Sequence, residues 1–357
     1  MNFPAAALQD AVAYFPAAAG TTAPACSICI ANYNGTALLE ECLASIHAQR
    51  GGTSVEIIIH DDASTDGSVE WIRAHHPEVE LLASRENVGF AIANNRMVAC
   101  ARGEFVLLLN NDAALFPDAL ESLSAEARRR SNCGILTLPQ YDWKSGELVD
   151  RGCRLDPFYN PVPNLKSSRD EVAITIGACL FIPRTLWNDL GGFPEWIGSI
   201  AEDMYICCLA RLRGYTVATT PASGYRHRQG ASFGGNRVDD GKLKTTFRRR
   251  ALSERNKTAV MVICTPTALV WPLLALHFLA LAFEGAGLAA LTRNGRVWRE
   301  IYRPTLGYIL HAPRRLRALR REAQGARRIG LRGYLRGFVP IPRKLVLLRR
   351  YGVPSLR

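Results

Sequence analysis

EFVLLLNNDA, residues 104–113, is the stretch whose reading decides the architecture. Its five β-prone apolar residues, Phe105 to Leu109, form a short continuous run of the kind that fills a strand buried on both faces. Asn110, Asn111 and Asp112 follow at once. An acid directly after a buried strand is costly unless it meets water, a ligand or a metal.

Working outward, CSICIA (26–31), VEIIIH (55–60) and VELLA (79–83) repeat the same apolar pattern. Helical stretches are expected near 37–47, 68–75, 92–101 and 117–129. Strands alternating with helices of this length predict a doubly wound, mostly parallel α/β sheet with flanking helices. Each strand ends in a polar cluster, NYNG, DDASTDGS, RENVGFAIANN or NNDA. Ligands of open parallel sheets bind at the carboxyl ends of strands, so the four clusters predict one site on one edge.

Beyond Gly134 a Pro- and Asn-rich stretch, DPFYNPVPN, precedes a strand candidate, AITIGACLFI (173–182). A GGFPEW turn, a helix from about 202 to 213, the strand candidate YTVATT and SGYRHRQGAS (223–232) complete a second half that reads as the acceptor side. Residues 1–24 lack a basic start and a long apolar run, and read as a loose leader or surface helix. The ten cysteines are scattered through apolar runs and read as reduced thiols. Strand geometry sends Cys26 and Cys29 to opposite faces, which excludes a metal or redox pair there.

Net charge is +12 for the whole chain, but residues 293–357 alone carry +16, which leaves −4 for residues 1–292. Charge confined to a tail beside an apolar stretch argues for anionic lipid headgroups and against nucleic acid as the partner. From 258 to 291 the chain is nearly all apolar, interrupted by Pro266, Pro272, His277 and Glu284. A broken, shallow or re-entrant pair of membrane-associated helices, a crossing helix and a buried core hairpin all fit that stretch. In the tail, Leu316, Leu319, Leu331, Leu335 and Phe338 between arginines allow an amphipathic helix lying on the bilayer surface.

A donor with base, ribose, diphosphate and sugar needs carboxylates for its ring and hydroxyl donors and a divalent cation for its diphosphate. Asp61, Asp62 and Asp112 are placed to supply them, although Asp62 and its neighbours are also ordinary helix caps. Mg²⁺ and Mn²⁺ take oxygen ligands and often only one or two carboxylates, so Asp112 with Asn110 suffices.

In order and spacing, NYNG, DDASTDGS, NVGFAIANN, LLLNNDA, GACLFIPR, GGFPEW and AEDMYICCLARLRGY resemble the family 2 glycosyltransferases of GT-A fold. The resemblance covers about residues 25–232 and is closest to the bacterial rhamnosyltransferase-like members. It implies Asp112 as the acid on the metal that bridges the donor diphosphate, with Asn110 secondary and His227 a further ligand. It implies a nucleotide pocket formed by Ala31, Asn32, Asp61, Asp62, Gly89, Asn95 and Asn111. It also implies Asp203, of the Glu-Asp motif, as the general base of an inverting transfer. Arg226 and Arg228 beside His227 are alternatively placed to grip phosphates.

The family's processive members carry a Gln-x-x-Arg-Trp element that is missing here, so the resemblance favours single additions. The implied protein is a metal-dependent enzyme using Mg²⁺ or Mn²⁺, a dTDP-, UDP- or GDP-sugar (dTDP-rhamnose by closest resemblance) and a glycan or lipid-linked acceptor. Its implied task is cell-envelope polysaccharide assembly at the cytoplasmic face of the inner (plasma) membrane. A non-catalytic sugar-nucleotide-binding scaffold on the membrane is the competing reading. The expected organisation is a leader (1–24), a GT-A domain (25–256, divided into a nucleotide-binding half 25–130 and an acceptor half 131–256), apolar membrane-associated helices (257–292) and a basic helical tail (293–357).

Overall fold

The computed structural model describes residues 12–18, 23–228, 235–239 and 242–356. Strands β2 (Cys26–Asn32), β3 (Val55–Asp61), β4 (Glu80–Ser84) and β5 (Phe105–Leu109) fall where the apolar runs predict. They alternate with α1 (Thr36–His47), α2 (Ser68–His75), α3 (Phe90–Cys100) and, after β5, α4 (Ala119–Arg129). With β1 (Val12–Phe15), β7 (Cys133–Thr137), β12 (Cys179–Pro183) and β13 (Thr216–Thr219) they build one sheet in the order β1-β4-β3-β2-β5-β12-β7-β13. Pairing is parallel from β4 through β5 and between β7 and β13, while β1 and β12 run antiparallel to their neighbours.

Alternation along β2 sends Cys29 into the apolar cluster on one face of the sheet and Cys26, Ile28 and Ile30 into the cluster on the other. The two thiols of that pair are therefore separated by the sheet. A smaller sheet stands beyond the carboxyl edge of β5, with β6 (Ala113–Leu115), β14 (Tyr225–His227), β8 (Gln140–Asp142) and β9 (Leu148–Asp150) in that order. A ribbon of β10 (Cys153–Leu155) and β11 (Pro161–Pro163) carries the chain back toward β12.

Several expectations are corrected. Residues 12–15 of the presumed leader are an edge strand on β4, because Val12 is buried against that sheet; residues 1–11 and 19–22 lie outside the described residues, as do 229–232 of the SGYRHRQGAS segment. The strand expected over 173–182 starts only at Cys179. Ahead of it the backbone turns at Gly177, whose N–H donates to Asp203 and so is withdrawn from the ladder.

The expected boundary at residue 256/257 falls inside helix α7 (Phe247–Cys264), which follows α5 (Arg184–Leu190) and α6 (Glu202–Leu212). Ala259 to Cys264 are buried in the same apolar cluster as Ile206 and Leu209 of α6, so this part of the apolar stretch is core. The chain breaks at Pro266, and α8 (Thr267–Leu291) continues alone. His277 and Glu284 face the protein: His277 meets the Thr258 hydroxyl at 2.8 Å, and Glu284 pairs with Arg250 and Lys344.

The tail divides into α9 (Arg303–His311), α10 (Pro313–Gly325), α11 (Leu331–Leu335) and α12 (Arg343–Tyr351). Its expected bilayer-facing residues are largely spent on the protein. Leu316 is buried, Leu319 and Phe338 pack on the main core, and Arg320 donates to the carbonyls of Val262 and Thr265 at 2.6 and 2.7 Å. Arg320 thereby satisfies carbonyls left open at the end of α7.

Candidate active site

Parallel register places Asn32 at the end of β2 directly beside Asp61 at the end of β3. Asn32 Nδ2 donates to Asp61 Oδ2 at 2.9 Å, and Asn111 Nδ2 donates to Asn32 Oδ1 at 2.8 Å. Three strand ends are thus tied in one buried row, with Asp61 also accepting the Ser64 N–H at 2.9 Å. Gly35 closes the row: a Cβ there would collide with the Asn111 and Asn32 side chains, so the turn after β2 tolerates no side chain. Ala31, half-buried, completes the end of β2.

Asp62 has another task. Its two oxygens accept the N–H groups of Val88 and Gly89 at 2.8 and 2.9 Å, which ties the β4–α3 loop to β3. Burial raises its pKa, and these two donors oppose the rise. Gly89, at φ +84°, therefore stands at the nucleotide edge through Asp62. Asn95 does not reach that edge. Its amide exchanges two bonds with the Phe193 backbone, at 2.7 and 2.9 Å, and so anchors the GGFPEW turn. As a loop anchor it is removed from the expected pocket.

Asp112 is buried, with Oδ1 3.1 Å from His227 Nε2 on β14. Among the described residues, no hydrogen bond satisfies Asp112 Oδ1 or His227 Nδ1. The Asn110 amide lies 3.5 Å from His227 Nε2. Two ligands on a cation at about 2.1 Å and a right angle lie about 3 Å apart, so an orphaned carboxylate oxygen and an imidazole nitrogen at this spacing fit a divalent cation between them. One oxygen and one nitrogen donor suit Mn²⁺ better than Mg²⁺. Arg226, beside His227 on β14, points to the opposite face of that strand. Arg228, one residue past β14, lies over the Trp143 ring at 4.1 Å and pairs with Glu41.

Asp203 opens α6. Its Oδ2 accepts the Gly177 N–H at 3.0 Å and its Oδ1 the Met204 N–H at 2.6 Å. The next residue, Ala178, accepts the Asn110 N–H through its carbonyl at 3.0 Å, which ties Asp203 to the strand end that bears Asp112. Burial raises the Asp203 pKa against these donors and against the nearby Arg249. Glu202 is buried with Oε2 lacking a hydrogen bond among the described residues, and burial followed by the Asp203 charge pushes its pKa up to about 8.

One contributor escaped the sequence reading. Ile200 and Ala201 sit at φ +70° and +73°, strained for residues with a Cβ and more so for a β-branched one. Asn256 of α7, fully buried, donates to the carbonyls of Ile197, Ser199 and Ile200 at 2.9, 3.0 and 2.8 Å and holds that turn ahead of Asp203. Polar residues on an otherwise core helix, SERNK, were the available signal.

Residues 27–191 match the family model described as Glycosyl transferase family 2. Over that segment the chain is similar to the family 2 glycosyltransferases. Chondroitin synthase from Escherichia coli is 31% identical over 189 residues, which make up 51% of this chain and 26% of that protein. N-acetylglucosaminyl-diphospho-decaprenol L-rhamnosyltransferase from Mycobacterium tuberculosis is 25% identical over 226 residues, 55% of this chain and 73% of that one. Matches to several further relatives span 26% to 32% of their length. Among solved structures, GalNAc-T7 with UDP, GalNAc and Mn²⁺ superposes with TM-score 0.55 at 12% identity, covering 82% of this chain and 58% of that one. S. aureus TarS 1-349 with UDP-GlcNAc gives 0.53 at 17% identity, covering 84% and 90%. These likenesses show that the chain has the GT-A fold.

Proposed function

We propose that the chain is an inverting, metal-dependent, non-processive glycosyltransferase that moves one sugar from a nucleotide-sugar donor to a hydroxyl of a glycan or lipid-linked acceptor. The observation that carries this reading is Asp112 Oδ1, buried, without a hydrogen bond among the described residues and 3.1 Å from His227 Nε2, on the same edge as the Asn32–Asp61 row. Asn32, Asp61 and Asn111 shape the nucleotide end, with Gly35 and Asp62 fixing their loops. A Mn²⁺ or Mg²⁺ ion held by Asp112 and His227, with Asn110 beside them, would neutralise charge on the departing diphosphate.

Asp203 takes the proton of the acceptor hydroxyl as that oxygen bonds to the anomeric carbon. The bond from that carbon to the diphosphate oxygen breaks on the opposite face, and the nucleoside diphosphate leaves. The raised pKa makes this carboxylate a stronger base than an ordinary aspartate. Likeness to the rhamnosyltransferase supports a deoxyhexose donor such as dTDP-rhamnose. Cell-envelope polysaccharide assembly at the cytoplasmic face of the inner membrane is the setting that fits.

Thermal shift with dTDP-, UDP- and GDP-sugars in the presence of Mn²⁺ identifies the donor, since a ligand that binds the native state raises Tm. Mass spectrometry of acceptor mixtures then measures transfer. A donor that binds without turnover, together with unchanged behaviour of Asp203→Asn, would favour the non-catalytic scaffold instead.

A further inference from the structure

At the amino-terminal edge of the sheet, far from the donor site, three side chains from two segments converge. His47 closes α1, and His76 and Glu78 lie in the connection from α2 to β4. Helix α1 has 12 residues, so His47 stands about 18 Å along the helix axis from the Gly35 turn.

His47 Nε2 and His76 Nδ1 both approach the same Glu78 oxygen, Oε1, at 3.1 Å each. The candidate ligand atoms of the three residues all lie within 4.8 Å of one another. The two imidazoles are nearly parallel, with centroids 6.0 Å apart and planes 14° apart, and the Trp71 ring 4.9 Å from His76 limits how that imidazole can turn. A charge-assisted N–H···O contact draws in to about 2.7–2.9 Å. Two ligands bound to one Zn²⁺ at about 2.0–2.1 Å, at angles between square and tetrahedral, stand about 2.9–3.4 Å apart. The observed 3.1 Å matches that ligand spacing and is also an ordinary N–H···O distance, so it is the convergence of two imidazole nitrogens on one carboxylate oxygen that marks the cluster.

We propose that His47, His76 and Glu78 form a second cation site, independent of the donor site, that binds a borderline transition metal such as Zn²⁺ or Ni²⁺. Two imidazoles and one carboxylate oxygen are the ligand set such ions take, and one that Mg²⁺ and Ca²⁺ do not favour. Three protein ligands leave a fourth position to water. Access from solvent is open, since the side chains of His47, His76 and Glu78 are 47%, 16% and 39% exposed. The bound ion would clip the end of α1 to the chain entering β4, two segments that belong to neighbouring units of the sheet.

The test uses the full chain after chelator treatment, in an Asp112→Ala background that removes the proposed donor-site ligand. Zn²⁺ titrated by calorimetry, and Co²⁺ followed by its visible absorption, should show one ion per chain lost in His47→Ala/His76→Ala. Affinity should fall at least tenfold in Glu78→Gln. Zn²⁺ should raise Tm of the parent and not of the double variant, while Mg²⁺ leaves both unchanged. Equal binding by parent and double variant, or no Zn²⁺ binding by the parent, overturns the site and establishes plain hydrogen bonding among the three residues. All three lie at the surface, and circular dichroism of the variants checks that the fold is kept. The result is independent of the transfer reaction.

Discussion

Three carboxylates at the site have different surroundings and different expected behaviour. Asp203→Asn should leave donor affinity near that of the parent while abolishing transfer, measured by calorimetry and by product formation. Asp112→Ala should remove metal-dependent donor binding altogether. His227→Ala should weaken donor binding in Mn²⁺ more than in Mg²⁺, because imidazole is a good ligand only for the softer ion. Glu202 has a folded-state pKa of about 8 against an ordinary 4.5, so the folded chain holds its proton more tightly than the unfolded chain. Its contribution to stability is therefore complete below about 4.5 and is lost as pH rises through about 8. Glu202→Gln should flatten the fall of Tm across that window and leave the variant more stable than the parent above it. Of these residues, Asp112 stood out locally as an acid after a buried strand, whereas Asp203 was singled out by the family resemblance, since an acid pair at a helix start is by itself an ordinary helix feature. The Asp112–His227 spacing was not legible, since the two residues meet only when β14 pairs with β6.

Among the elements, the turns between them decide where the side chains point. Asn256→Ala would remove the side-chain donor from the Ser199 and Ile200 carbonyls in the strained turn before Asp203, while the Ile197 carbonyl keeps the Ser199 N–H at 2.9 Å. The expected cost is on the order of 3 kcal/mol, read from denaturant unfolding. A fall in kcat with donor affinity retained would place the damage at the base. Gly35→Ala should act in the opposite way: the added Cβ collides with Asn32 and Asn111, so donor affinity should fall first. Apolar periodicity found β2 to β5 and their helices to within a residue or two. It overran β12, because Gly177 is apolar by composition yet gives its N–H to Asp203. It gave no sign of the bond between Asn95, a helix residue, and Phe193, 98 positions away.

Over the whole molecule, the apolar and basic segments after residue 257 prove to be divided between core and surface. A buried ion cluster joins them: Glu254 pairs with Lys257, Lys344 and Arg250 at 2.6, 2.7 and 3.1 Å, which ties the tail to α7. Truncation after residue 257 would remove the core residues Ala259 to Cys264 and so report unfolding rather than membrane release. Point changes are the sounder test. Helix α8 is long and apolar enough to cross a membrane, yet it buries Val270, Leu274, His277, Leu281 and Leu288 on the protein. Its other side exposes Trp271, Leu276, Leu279 and Phe283, at 61%, 58%, 57% and 77%. On the proposal that this exposed side lies in the headgroup plane of an anionic bilayer, Phe283→Asp with Leu279→Asp should abolish flotation with vesicles containing anionic phospholipid. Binding by the parent should weaken as salt is raised. Unchanged flotation of the double variant would leave this face without a membrane role.

The sequence by itself determined the α/β alternation, the edge on which the site lies, the acids at two of its positions and the uneven charge. These are properties of single segments, set by period, by strand-end polarity and by composition. Only the tertiary structure decided that Asp112 faces His227, that Asp62 and Asn95 hold loops, that Asn256 supports the turn before Asp203, and which side of each C-terminal helix meets the protein. Each of these depends on partners far apart along the chain, whose meeting is fixed by strand order and packing. A local pattern states that a residue must be buried or satisfied, and the fold supplies the atom that satisfies it.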